Sequence, residues 1–188
     1  MKTESSEKSM DVEPHAKYRQ GLSYFQDGRY QLAIESLKQV IRLEPGHAGA
    51  HFTLGRAFYK LGSFNDAIEA FNETIRLQPD NAEAYYHLAL VYTYLERYEE
   101  AIEAIKQVFR IRPDFADAYY TLGRVYVNLG RREEAVEAYK QAIRLMPNNA
   151  DAHFFLALVY VMLQRHPEAA ESFKEAIRLK PEYAGALR

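Results

Sequence analysis

Apolar residues recur three, four and seven apart along most of the chain. Leu37 and Ile41, Phe71 and Ile75, Ile105 and Phe109, Tyr139 and Ile143, and Phe173 and Ile177 form one such set, with Tyr24, Phe58, Tyr92, Tyr126 and Tyr160 heading another. That spacing puts each set on one face of a helix. Between the stripes the chain is punctuated: Pro45, Pro79, Pro113, Pro147 and Pro181 follow one another at intervals of 34 residues. A fixed interval of this size signals an array of one structural unit. In register, the units run over 14–47, 48–81, 82–115, 116–149 and 150–183. A polar segment, 1–13, precedes them and is expected to be a flexible tail, while 184–188 reads as the stub of a further helix.

The columns of this register predict two antiparallel helices per unit. Gly21, Gly55, Ala89, Gly123 and Ala157 fill the eighth position and Ala33, Ala67, Ala101, Ala135 and Ala169 the twentieth. Small residues facing each other let two helices approach closely. Gly28, Gly62 and Gly130 stand between the helices, where a left-handed residue ends the first one, and the repeated proline ends the second. Glu96 and Gln164 replace that glycine in the third and fifth units, so those two turns are expected to be made differently. Pro167 falls in the first turn of its helix, where a missing N–H does no harm.

The interval and the succession of small, aromatic, alanine, apolar and proline columns resemble the tetratricopeptide repeat, across nearly the whole chain. The family's frequent tryptophan at the fourth position is absent, replaced by Lys17, His51, Tyr85, Tyr119 and His153. Pentatricopeptide RNA-reading arrays are the nearest confusion, but they carry polar base-reading side chains where this chain has aromatics at the fifth position. The resemblance implies an all-α, right-handed α-solenoid superhelix of antiparallel helix pairs, with first helices lining a concave groove.

The same resemblance implies which side chains face the groove. The fifth position reads Tyr18, Phe52, Tyr86, Tyr120 and Phe154, the ninth Leu22, Arg56, Leu90, Arg124 and Leu158, and the twelfth begins Phe25, Tyr59. An aromatic and aliphatic surface with two arginines suits a peptide or protein segment bearing acidic groups. The two-carboxylate clamp that some family members use to hold chaperone tails is missing, since the fifth column is aromatic and the ninth has no asparagine. Chaperone-tail binding by that device is therefore not expected.

Composition removes other functions. Lys and Arg number 24 against 26 Asp and Glu, a net charge of -2, which is too balanced for tracking a phosphate backbone. Nucleic acid is not an expected partner. No apolar run approaches the roughly 18 residues of a membrane span, and no signal peptide is visible at the start, so a cytoplasmic location without membrane insertion is expected. There is no cysteine, nucleophile motif or phosphate loop. His47 and His51 stand four apart but imply no third ligand. A non-enzymatic scaffold without metal or cofactor follows.

Two internally constant columns have a simple physical reading. Arg42, Arg76, Arg110, Arg144 and Arg178 lie in the last turn of each second helix, where the helix dipole favours cations. Glu35 with Lys38, Glu103 with Lys106, Glu137 with Lys140 and Glu171 with Lys174 are spaced as surface pairs.

The ends differ. Lys17 and Gln20 put polar groups where other units carry larger or apolar residues, which reads as a cap. At the other end Ala170, Phe173, Ile177 and Leu179 keep interior character, with only a short stub beyond. A shortened chain, end-to-end stacking of two copies, or a partner helix would each account for it. Self-assembly through this edge is thus the alternative to a groove-binding scaffold.

Overall fold

The computed structural model describes residues 4–187, with side chains over 14–185. Ten α-helices follow one another: α1 (Glu4–Gln26), α2 (Tyr30–Leu43), α3 (Ala48–Lys60), α4 (Phe64–Leu77), α5 (Ala82–Tyr94), α6 (Tyr98–Ile111), α7 (Ala116–Asn128), α8 (Arg132–Leu145), α9 (Ala150–Met162) and α10 (His166–Leu179). A 3-10 helix, Pro181–Leu187, follows. The chain forms two compact units, residues 1–95 and 96–188. In the first, α1 packs on α2, α3 on α4, and α5 on α4; in the second, α7 packs on α8 and α9 on α10, with α6 against α7.

Close packing of α3 on α4 and of α7 on α8 follows from the eighth-position glycines. A Cβ on Gly55 would stand 2.8 Å from the Phe71 ring, and one on Gly123 2.7 Å from the Tyr139 ring. No real Cβ tolerates such contacts, so the ring occupies space that the glycine leaves open. Phe71 and Tyr139 are fully buried as a result, like Leu37 and Ile105 in the same column. Removing a large side chain of this kind from water stabilises the fold by about 1.5–3 kcal/mol.

The turns between paired helices correct one expectation. Gly28, Gly62 and Gly130 have φ of 73, 76 and 72°, and Glu96 and Gln164 adopt the same left-handed conformation at 58°. The geometry is therefore conserved across all five turns and the two bulkier residues accept its cost, of order 1–2 kcal/mol for a side chain with a Cβ.

Three first helices are capped by the last residue of the unit before. The side chains of His47, Asn81 and Asn149 accept from the backbone N–H of Ala50, Ala84 and Ala152 at 3.1, 3.0 and 3.0 Å. Phe115 takes the same position without a side-chain cap. It is buried instead, with the Arg112 guanidinium 3.7 Å from its ring centre.

At the N-terminus, α1 starts at Glu4, so helix reaches back into the segment read as a flexible tail. Pro14 lies inside that helix and cannot donate a backbone bond to the preceding turn. Of the two polar residues read as a cap, Lys17 Nζ donates to Gln39 Oε1 at 2.7 Å and Gln20 Nε2 to the Tyr24 hydroxyl at 3.2 Å. The C-terminal stub forms the 3-10 helix rather than the start of an α-helix.

Candidate functional site

The first helices carry the expected site, one part of it in each compact unit. In the first, Tyr18, Leu22 and Phe25 on α1, Phe52, Arg56 and Tyr59 on α3, and Tyr86 and Leu90 on α5 are all half-buried. In the second, Tyr120 on α7 and Phe154 and Leu158 on α9 are half-buried, whereas Arg124 is exposed.

The fifth-position rings do more than face outward. Phe52 meets Phe71 of its paired helix with ring centres 6.0 Å apart and His87 of α5 at 5.4 Å. Tyr120 repeats this against Tyr139 at 5.8 Å and Phe155 at 5.9 Å. These two rings bind α3 to α4 and α5, and α7 to α8 and α9. Tyr18 packs on His47, centres 4.4 Å apart, and Phe154 on Tyr183 at 4.4 Å with 19° between planes. His47 and Tyr183 occupy the same column, the last position of the unit whose fifth-position ring each covers. Sequence reasoning gave Tyr183 no role. Its hydroxyl donates to an Asp151 carboxylate oxygen, and Lys180 Nζ lies 4.9 Å over its ring. Burial, followed by that carboxylate contact, pushes the Tyr183 phenol up to about 12.

Arg56 is the charged feature of the first unit's face. Its guanidinium carbon stands 4.6 Å from the Phe25 ring centre and 5.7 Å from that of Phe52. A cation spread over two aromatic faces is held there by the rings, with no ion pair to a carboxylate among the described residues.

Behind it, His87 is stacked on Phe71 at 5.5 Å and 9°. Burial, with the positive charges of Arg56 and Lys60 on α3 outweighing Glu83 on α5, lowers this imidazole to about 4. Its Nδ1 is buried and finds no hydrogen-bond partner among the described residues.

The two histidines that invited a metal reading are explained by structure. His47 caps α3, and His51 Nε2 lies 2.9 Å from the Pro45 carbonyl oxygen, a contact repeated by His153 with Pro147 at 3.0 Å. Among the described residues no group of three or more His, Asp or Glu could hold a metal ion. No helix among them is long and apolar enough to cross a membrane.

Surface pairs follow the expected spacing in three of four cases. Glu103 with Lys106, Glu137 with Lys140 and Glu171 with Lys174 approach to 2.6, 3.1 and 3.8 Å. Lys38 points elsewhere, its Nζ 5.5 Å from the Phe58 ring centre.

At the C-terminal edge, Ala170 is exposed, and Phe173, Ile177 and Leu179 are half-buried. Phe173 contrasts with the fully buried Leu37, Phe71, Ile105 and Tyr139 of its column, and Phe154 is the ring that covers it, at 5.6 Å.

Comparison with known proteins agrees with this architecture. A MamA crystal structure is 30% identical, with a TM-score of 0.80 over 88% of this chain and 96% of that one. MamA from Desulfovibrio magneticus RS-1 is 25% identical, with a TM-score of 0.83 over 90% and 96%. YrrB, described as a TPR protein with an unusual peptide-binding site, shares the fold at 19% identity and a TM-score of 0.74 over 91% and 88%. No curated protein sequence matches the chain. The family model for the cilia and flagella-associated protein 70 C-terminal domain matches residues 2–187. With its 34-residue helical pairs, buried small-residue seams and full-length family match, the chain belongs to that tetratricopeptide-repeat family, an all-α solenoid of the protein-interaction scaffold type.

Proposed function

We propose that the chain is a non-enzymatic scaffold whose first-helix face receives a peptide or protein segment of another molecule. The supporting observation is Arg56, a guanidinium laid across Phe25 and Phe52 beside half-buried Leu22, Tyr59 and Leu90. An acidic group on a partner would meet the cation while neighbouring apolar side chains meet the rings. In the second unit Arg124 and Leu158 offer the same pair of chemistries. YrrB, with its peptide-binding site, supports the reading as a relative of the same fold.

The test must spare the core. Phe52 and Tyr120 pack on Phe71 and Tyr139, so replacing them would confound binding with folding. A display library of random peptides selected on the intact chain should return acidic, apolar sequences. Arg56→Ser with Leu90→Ser should weaken the selected peptides at least tenfold while circular dichroism stays unchanged. Selection of peptides indifferent to that pair would exclude this face.

A second reading rests on the exposure at Ala170 and Phe173: two copies associate through the C-terminal edge. Sedimentation over a wide concentration range tests it, since Phe173→Glu should abolish any concentration-dependent mass. A monomer at every concentration removes this reading.

A further inference from the structure

His87 stands where the first-helix face of the first unit meets its core. The Phe52 ring lies edge-on to its imidazole at 5.4 Å, and the buried Phe71 ring is stacked on it at 5.5 Å. Phe52 is also one of the two rings that carry the Arg56 guanidinium, 5.7 Å from its centre. One aromatic side chain therefore has a fixed cation and an imidazole as neighbours, and the charge of that cation is felt at the imidazole.

Two observations set this histidine apart. His47, His51 and His153 each meet a backbone group, as a helix cap or at a proline carbonyl, whereas Nδ1 of His87 is enclosed and meets no partner among the described residues. In the second unit the corresponding lid over Tyr139 is Phe155, so closing over the buried ring does not require a nitrogen. The charges around His87 favour a neutral ring. After burial, Arg56 of α3 opposes protonation most and Lys60 of the same helix adds to it, while Glu83 of α5 acts the other way. From α4 it is the uncharged Phe71 ring that meets the imidazole.

We propose that binding of an acidic segment across Arg56 is coupled to uptake of a proton by His87, so that this face holds acidic partners more tightly as pH falls. The inference rests on the acidic-partner reading given above and adds its regulation. An anion set on Arg56 cancels the neighbouring charge that most opposes protonation, and attracts the proton itself at the same short range. Coupling of this kind is reciprocal: whatever the ligand does to the proton affinity of His87, the proton does to the affinity for the ligand. The free imidazole titrates at about 4, so the gain in affinity develops in acid, where the complex holds the proton and the free chain does not.

The test uses the full chain and a short blocked peptide that alternates leucine with cysteic acid, whose sulfonates stay ionised in acid and add no titration of their own. The imidazole signals of His87 are followed by NMR against pH, with and without peptide. The peptide should raise the titration midpoint by about 1 on the pH scale, and should bind about threefold more tightly near pH 4.5 than near pH 7. His87→Phe, which copies Phe155, should remove most of that difference. Arg56→Gln, followed without any peptide, should also raise the midpoint, because the opposing charge is gone; this arm and the peptide-induced shift decide the matter even if His87→Phe loses the fold. Binding that leaves the His87 midpoint in place, or an undiminished acid gain in His87→Phe, would overturn the coupling while the face stands as a receptor. An unmoved midpoint in Arg56→Gln would overturn it without any ligand. Should the peptide fail to bind at either pH, the reading of the face falls, and the coupling with it.

Discussion

The imidazole of His87 lies parallel to the Phe71 ring, 9° between planes, and two repeats later Phe155 lies on Tyr139 at 17°. In both places a planar side chain at the sixth position of one unit closes over the ring buried in the unit before. One of the two lids is titratable, and this makes the first unit sensitive to acid in a way the second is not.

The sign follows from burial. His87 is held at about 4 in the fold against 6.5 when unfolded, so between those values the unfolded chain binds the additional proton. Stability from this residue is therefore complete above about 6.5 and declines as pH falls toward 4. The total is on the order of 3 kcal/mol. Urea unfolding at several pH values checks it: His87→Phe, which copies Phe155, should flatten the decline. Parallel pH profiles for both proteins would show that other groups dominate.

Gly55→Ala and Gly123→Ala should each cost about 1–3 kcal/mol, because the new methyl enters the Phe71 or Tyr139 ring. Combining Gly123→Ala with Tyr139→Leu should recover part of the loss relative to the sum of the single changes. Thermal unfolding of the four proteins measures this coupling. Simple additivity would mean that the ring moves aside freely.

Gln164 holds a left-handed conformation that glycine adopts without penalty. Gln164→Gly is expected to stabilise by about 1 kcal/mol, and Gly62→Ala to destabilise by a similar amount. Opposite shifts in melting temperature are the readout.

Tyr139 is fully buried, yet its hydroxyl has no hydrogen-bond partner among the described residues, and burial drives its ionisation well above the ordinary phenol range. Tyr139→Phe should be neutral or stabilising by about 1 kcal/mol, since it removes an unpaired polar group. A marked loss of stability would reveal a partner for that hydroxyl.

The repeat was legible because it is written in local chemistry. Proline intervals, helix stripes and facing small residues are properties of sequence neighbours, and they announced two helices in each repeat, which α2 to α10 follow. Which columns would face a partner came only from the family resemblance, because helical periodicity separates the faces of a helix without saying which one receives a ligand. Three features required tertiary structure. Glu96 and Gln164 are poor left-handed residues in isolation, and at Gln164 it is the packing of α9 on α10 that imposes the turn. Tyr183 and Phe154 are distant in sequence, so their stack exists only once α9 and the final turn are juxtaposed. The course of one lysine column also differs between copies, Lys38 reaching over Phe58 and Lys106 turning to Glu103. Identical residue types in one column are indistinguishable to a sequence pattern, whereas competition between a ring and a carboxylate for the same ammonium is settled by the three-dimensional neighbours of each.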